Sequence, residues 1–593
     1  MNQDTALLTL VNRLRLPPQD QAKLAFCDSA RAAKVADWAH QLPATRISHT
    51  SVLLYQALPE ISRLDTSASN RLQMLEHLRP YVQQCIQGLA KNFLNKPLIL
   101  PQAARKTAVI AQALQKHMSN GYCLVAKTLV QQHTDGKFKA DQLEILSLAI
   151  HRAITGMGLQ LLRNAQIYTP VSNQLWQEVH ALYGLAEHLQ LLKKSCVDPL
   201  LKLNRACTIE QAYFRILLLA CSRPNQLRQN EVGILYDTLE DWARMVHFTD
   251  LNGNERNLFV VDLDSASAPI YKNTADPDRN LREMDVQPLL ESIHKQQEHG
   301  DQSQIIAIPL AIADHLINHL TTSWGELHQR QHPRRAAQAQ LEVAVGLTSI
   351  HYHLAGQVEF QEFLKLGGRR GSGSQFESMQ LSSEYDPWSE ATDAGMNTKA
   401  GIGKELNYEG VPAPATKQHA SLPIYPVHTI DASSGGYCLD WRDEVPPQAK
   451  AGELVGLREP GRRYWNIGVI RWLKQSKGAS QLGIQVLAPQ ARAVAAKQLQ
   501  KVGNDNVYMR ALLIPPSSTD ANQLAGIVTA AHPFRANNKV KLNEYGSVSN
   551  AFLTELRYAT GCMSLFSFRR LESPQSIAES DEPSPDQGFD SQW

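Results

Sequence analysis

The stretch that most constrains this chain runs from residue 430 to 487. It opens on Asp431-Ala432-Ser433-Ser434-Gly435-Gly436, a D-x-S-x-x-G at the end of a short apolar run. Three more Val/Ile/Leu-rich runs follow at 452–458, 465–473 and 482–487, separated by polar turns that carry Gly or Pro. Runs this short and this regularly interrupted predict a small antiparallel β-barrel. The segment 491–502, after the barrel, reads as a polar-faced helix.

Upstream, residues 1–230 read as helical throughout. Within 71–93 the apolar residues Leu72, Leu75, Val82, Ile86, Leu89 and Phe93 recur in steps of three, four and seven, which makes one buried stripe. Pro80 inside it predicts a kink or a break. Thr208 with Gln211 has the spacing of a capping box. Residues 231–325 change texture and read as a small mixed α/β module. Asp262 and Asp264 share one strand face there, either as a metal or catalytic carboxylate pair or, more simply, as a solvated strand end. The run 340–354 alternates at Leu341, Val343, Val345 and Leu347 and reads as one long β-like segment. His351 and His353 would then share a strand face, and His328 and His332 a helix face. Neither pair has a third metal ligand nearby.

Residues 366–422 are rich in Gly, Ser, Pro, Ala and charge. They hold too few aliphatic side chains to offset ordering entropy, so a disordered insertion is expected. Gly403-Lys404 within it lacks the frame of a phosphate loop. Residues 491–571 read as a β-rich C-terminal module with one helix at 551–557. The tail 572–593 carries Glu572, Glu579, Asp581, Glu582, Asp586 and Asp590 with no Lys or Arg, and is expected to be disordered. The fold class is thus multidomain α+β. The expected order is a helical domain (1–230), a mixed module (231–325), a barrel (326–365 with 423–490), the C-terminal module and the acidic tail.

Composition narrows the function. A net charge of +2 over 593 residues argues against DNA as a partner, which needs a concentrated basic surface. Eight cysteines without any C-x-x-C fit buried thiols in a reducing compartment. The N-terminus has no signal-peptide pattern, and the longest greasy run, 216–221, is too short to span a bilayer. A cytoplasmic protein is expected. No nucleophile–base pair and no metal site is visible, so the chain reads as a binding protein, not an enzyme, and no cofactor is expected.

One arrangement is more specific than its parts. Arg330-x-x-x-Arg334, with Arg335 adjacent, stands before a strand; D-x-S-x-x-G ends the next strand; a barrel follows with Trp465, Gly468, Arg471 and Trp472. Over about 325–490 this resembles the PilZ domain, the bacterial cyclic-di-GMP receptor module, with its R-x-x-x-R and [D/N]-x-S-x-x-G motifs and six-stranded barrel. The insertion lengthens the spacing between the motifs, at a closure cost that grows only with the logarithm of length. The resemblance implies that cyclic-di-GMP is bound by Arg330, by Arg334 or Arg335 as the second arginine, and by Asp431, Ser433, Gly435 and Gly436. It implies a receptor that relays the signal to a protein partner, by family analogy in motility, pilus or polysaccharide machinery. The alternative is a non-binding PilZ-like adaptor. An enzyme within the first 325 residues is a more distant reading.

Overall fold

The computed structural model describes residues 3–251, 254–299, 305–327, 334–366, 421–442, 445–476, 479–499, 507–516 and 525–571. Arg330, His328, His332, nearly all of the inserted segment with Gly403-Lys404, and the acidic tail lie outside these residues. The chain divides into two compact units. One is Met1–Arg335 with Cys438–Ala451 and Arg471–Gly483; the other is Ala336–Tyr437 with Gly452–Ile470 and Ile484–Trp593.

The first unit opens with helices α1 (Gln3–Asn12), α2 (Ala32–His40), α3 (Ile47–Arg63), α4 (Ala68–Ala90), α5 (Gln102–Thr134), α6 (Gln142–Gln166) and α7 (Asn173–His188). A short hairpin, β1 (Ser195–Val197) and β2 (Ala206–Thr208), leads into α8 (Ile209–Cys221) and α9 (Gln229–Trp242). Starts are set by side chains: Ser67 caps α4, Ser172 caps α7, and Thr208 and Gln211 form the reciprocal capping box of α8. Pro80 does not split α4, which runs on through it. Its stripe of Leu72, Leu75, Leu78, Val82 and Ile86 lies buried in the helical core, and that packing outweighs the roughly 3 kcal/mol a mid-helix proline costs.

Strands β3 (His247–Thr249), β4 (Phe259–Asp262), β5 (Ile270–Tyr271) and β6 (Leu281–Asp285) form a sheet in the order β3-β6-β4-β5, followed by α10 (Gln287–His299) and α11 (Asp314–Gly325). Phe259, Val261 and Met284 of this sheet and Trp324 of α11 join the same apolar core as the helices. The mixed region therefore completes the helical core and has none of its own. Asp262 is buried; it accepts from the Asp264 amide at 2.9 Å and from Arg279 at 2.8 Å, while Asp264 pairs with Arg13 at 2.7 Å. Both carboxylates are occupied in holding the turn.

A buried ion network braces the helices. Both Arg79 guanidinium nitrogens donate to Asp198, at 2.7 and 2.8 Å, and Arg152 reaches the same carboxylate at 3.2 Å. Burial works against the charged form of Asp198, yet the two guanidinium groups hold its carboxyl down at about 2. Helix α6 is by composition long and apolar enough to cross a membrane, but 67% of its most apolar window is buried inside the fold. Among the described residues no group of three or more His, Cys, Asp or Glu is placed to hold a metal.

The second unit carries one whole barrel and most of another, of which residues 438–441, 471–476 and 479–483 are grouped with the first unit. After β7 (Arg335–Ala336), the strands β8 (Gln340–Val345), β9 (Tyr425–Ser433), β10 (Gly436–Trp441), β11 (Leu454–Arg458), β12 (Asn466–Ser476) and β13 (Ala479–Ala488) close a six-membered antiparallel ring in the order β10-β13-β12-β11-β8-β9-β10, with β7 added beside β9. β8 and β9 pair, Leu341 opposite Val427, across the whole insertion. β8 is shorter than the alternation suggests. Gly346 turns the chain at φ +85°, a conformation L side chains avoid, and α12 (Leu347–Leu354) begins there, with α13 (Phe360–Lys365) after it. His351 and His353 are therefore helical. His351 is buried against the Phe360 and Phe363 rings, and His353 stacks on Trp465 at 5.6 Å.

β14 (Arg492–Gln498), β15 (Met509–Ile514), β16 (Gly526–Ala530), β17 (Lys539–Glu544), β18 (Ser547–Ala559) and β19 (Met563–Leu571) form the second closed barrel, in the order β14-β15-β16-β19-β18-β17. The two helices expected here are strands. In β14, Val494 and Ala496 fill the barrel while Ala493 and Ala495 lie under α13. Both faces are covered, so small residues are required and the alternation disappears. In β18, bulges between Leu553 and Glu555 and between Leu556 and Tyr558 shift the register and scramble its period-two pattern.

Burial, with the Arg510 guanidinium nearby, lowers His351 to about 4. The unfolded chain takes up this proton near pH 6.5, the folded chain only near pH 4, so the unfolded state binds more protons between them. The stability His351 supports at neutral pH is thus lost as the pH falls through that window. In His351→Leu the acid slope of stability should flatten, by up to about 3 kcal/mol between pH 6.5 and 4. Urea unfolding at several pH values reads this, and a slope equal to that of the parent would count against it.

Candidate functional site

The second motif forms the β9–β10 hairpin. Asp431 and Ser433 sit half-buried at the end of β9, Ser434 and Gly435 make a two-residue turn, and Gly436 opens β10. The Ser433 hydroxyl donates across the turn to the Gly436 carbonyl at 3.4 Å. The Gly435 carbonyl accepts from the Val486 amide of β13 at 3.0 Å. Gly436 is a glycine for space: a Cβ there would stand 2.0 Å from the Ile484 carbonyl oxygen. The turn is thereby pressed against the neighbouring strand, which presents Asp431 and Ser433 from a fixed position.

Of the arginines, Arg334 precedes β7 and Arg335 begins it, both exposed. β7 is hydrogen-bonded to β9, the strand that carries Asp431. Just after these arginines, the Ala337 amide donates to the Ile430 carbonyl at 3.2 Å. Thr429 fixes the pairing: its buried hydroxyl donates to the Ala337 carbonyl at 2.7 Å and accepts from the Ala339 amide at 2.9 Å. Thr429 went unremarked in the sequence. Its signal is a hydroxyl at an inward position of β9, two residues before Asp431, where an aliphatic side chain is the ordinary choice.

Beyond the hairpin, Tyr437 of β10 lies 3.5 Å from the Asn466 amide at the start of β12. The β11–β12 loop that leads to Asn466 exposes Arg462, Arg463 and Tyr464. At its base, Arg458 lies over the Trp465 ring at 4.4 Å and pairs with Glu342. The described residues of the second motif thus offer a carboxylate and a hydroxyl beside a glycine turn, and Arg334 and Arg335 lie at the start of β7.

Residues 32–253 match the family model described as the N-terminal domain of the cyclic-di-GMP receptor FimW, 258–493 its middle PilZ domain, and 494–571 its C-terminal β-barrel domain. The chain is 32% identical to the cyclic-di-GMP receptor FimW of Pseudomonas aeruginosa, over 98% of each chain. The chain belongs to the FimW family. Membership extends well beyond the 325–490 span in which PilZ-like motifs are visible, and takes in both the helical unit and the second barrel. Within a FimW-family chain the fold is thus a helical N-terminal region followed by two six-stranded antiparallel barrels, a PilZ barrel and a C-terminal one.

The contact at Gly436 gives a direct test of the hairpin. Gly436→Ala forces β10 away from Ile484 and should cost about 1–3 kcal/mol. Ser434→Ala, on the exposed turn beside it, should stay within about 0.5 kcal/mol of the parent. Equal melting temperatures for the two variants would remove the steric argument.

Proposed function

We propose that this chain is a cyclic-di-GMP receptor that binds the dinucleotide through its PilZ barrel and passes the signal to a protein partner. The observation that carries the reading is the placing of the second motif on a glycine hairpin pinned to β13, with the segment after Arg335 clamped along the same strand by Thr429. Family membership supports it, the relative being named a cyclic-di-GMP receptor.

The chemistry matches the ligand. Cyclic-di-GMP carries two phosphates and two guanines. In this reading the arginines of 330–335 take phosphate oxygens or the O6/N7 edge of guanine through bidentate forks, and their planes stack on purine faces. Asp431 accepts from guanine N–H groups, Ser433 donates to phosphate, and Gly435 and Gly436 let the ligand approach the backbone. Cyclic-di-GMP is then a ligand that is bound and released unchanged. The signal passes along β12 and β13, whose hairpin residues Arg471–Gly483 belong to the helical unit; there the Gln475 amide donates to the Tyr168 carbonyl at 2.9 Å. The same reading places the chain in the cytoplasm, where a nucleotide second messenger is available, with motility, pilus or polysaccharide machinery as the class of output.

Titration calorimetry with cyclic-di-GMP tests the binding step. The intact chain should give saturable heat. Arg334→Ala and Asp431→Ala should each weaken binding about tenfold or more, equivalent to about 1.4 kcal/mol. Comparing Arg334→Ala with Arg335→Ala identifies the second motif arginine. Absence of heat from the intact chain, or affinity unchanged in both Arg334→Ala and Asp431→Ala, would leave the barrel as a protein-interaction scaffold.

A further inference from the structure

A cavity of about 320 Å³ lies inside the helical unit, where one face each of α4, α5, α6 and α9 meets the chain after β1. Helical spacing brings the residues to it. Thr155, Leu159, Arg163 and Gln166 of α6 recur in steps of three and four, as do Gly233, Asp237 and Glu240 of α9. The space is kept open by small residues: Ala90, Ala111 and Gly233 stand on its walls. A Cβ at Gly233 would meet only the Gln166 side-chain nitrogen, at 3.1 Å.

The charges around this cavity cancel in pairs, with one left over. Arg79 pairs with Asp198 at 2.7 Å, Lys202 with Asp237 at 2.6 Å and Arg215 with Glu240 at 3.8 Å. The remaining cation is Arg163, which is half-buried. It donates to the Gln166 side-chain oxygen at 2.9 Å and lies 5.3 Å from the Phe93 ring centre; among the described residues it forms no ion pair. Burial lowers its guanidinium to about 10, so it keeps its charge at neutral pH. A cation taken partly out of water without a counter-charge is a cost to the fold, and an anion in the cavity would offset it.

A second donor faces the same space. The Gln115 side-chain oxygen accepts from Gln83 at 2.8 Å, while its amide nitrogen donates to no protein group among the described residues. Much of the remaining wall is apolar, with Ile86, Leu94, Leu162 and Leu201. Gln87 and Lys202 also line the cavity and are exposed, so it opens to solvent beside them.

We propose that this cavity is a ligand site separate from the PilZ hairpin, and that it takes a small organic carboxylate with an apolar body on Arg163 and Gln115. The planar guanidinium fork matches a carboxylate. A single negative charge balances the lining, whereas a phosphate dianion overshoots it. The volume lies at the small end of ligand cavities, which run from about 300 to 1,000 Å³, so the body is limited to roughly one ring. The cavity shares no residue with the β9–β10 hairpin, and its test does not depend on cyclic-di-GMP.

Benzoate, neutral benzamide and phenyl phosphate serve as probes, titrated against the full chain by ligand-observed NMR. Benzoate should bind at least about tenfold more tightly than benzamide, and more tightly than phenyl phosphate. Arg163→Met keeps the length of the side chain beside Phe93 and removes its charge; it should bring benzoate down to the affinity of benzamide. Asp237→Asn removes a carboxylate from the wall and should tighten benzoate while leaving benzamide unchanged. No benzoate binding, equal affinity for benzoate and benzamide, or benzoate affinity untouched in Arg163→Met would overturn the proposal. Tighter binding of phenyl phosphate than of benzoate would overturn the choice of a carboxylate. The comparison of the three probes on the parent chain needs no mutation, so it stands even where a variant folds poorly.

Discussion

The second unit depends on one shared apolar core. Ala344, Leu454 and Ile467 of the PilZ barrel pack in a single cluster with Leu512, Val528, Met563 and Leu565 of the C-terminal barrel, together with Ile350 of α12 and Trp465. Each fully buried side chain of this size contributes roughly 1.5–3 kcal/mol. The seam is also fastened by polar contact, since the Thr560 hydroxyl donates to the Gly452 carbonyl at 2.6 Å. α13 adds a second patch: Phe360 and Phe363 lie over Ala493 and Ala495 of β14. The two barrels therefore share one apolar core.

The helical unit is organised differently. Its apolar core is large, but its interior also holds the Arg79–Asp198–Arg152 network, with Glu76 accepting from Arg152 and from Tyr122. Such a network contributes little net stability against apolar packing of the same shape, whereas removing a single partner is costly because a charge is left buried and alone. Its effect is to specify one arrangement of α4, α6 and the β1–β2 hairpin.

Much of the fold was legible in the residues, and the failures share a cause. Alternating aliphatics and polar turns announced the PilZ barrel, and Thr208 with Gln211 announced the start of α8. Where both faces of a strand are covered, as at Ala493–Ala496, alternation vanishes and alanine reads as helix. Where bulges interrupt a strand, as in β18, the period breaks. Gly346 ended β8 because of a dihedral that hydropathy does not record. The joint core of the helices and the small sheet was invisible, since it depends on contacts distant in sequence. At the candidate site, the motif supplied Asp431, Ser433 and the glycines, and it pointed to the arginine segment, of which Arg334 and Arg335 lie at β7. It could not supply Thr429, whose importance comes from a strand pairing made across the insertion, nor the fact that Gly436 answers to Ile484.

The pairing of β8 with β9 has a consequence for how the protein is made. β8 lies between β9 and β11 in the ring, yet the ribosome produces β9 roughly eighty residues after β8. Throughout that interval the nascent chain carries Leu341, Val343 and Val345 with neither edge of their strand covered. The apolar core of the helical unit, by contrast, is drawn from residues made before β8. The barrel that contains β8 therefore cannot close until the residues after the insertion have been made. Until then the apolar side chains of β8 lie on an uncovered strand, and long-range pairing of this kind is intrinsically slow to form.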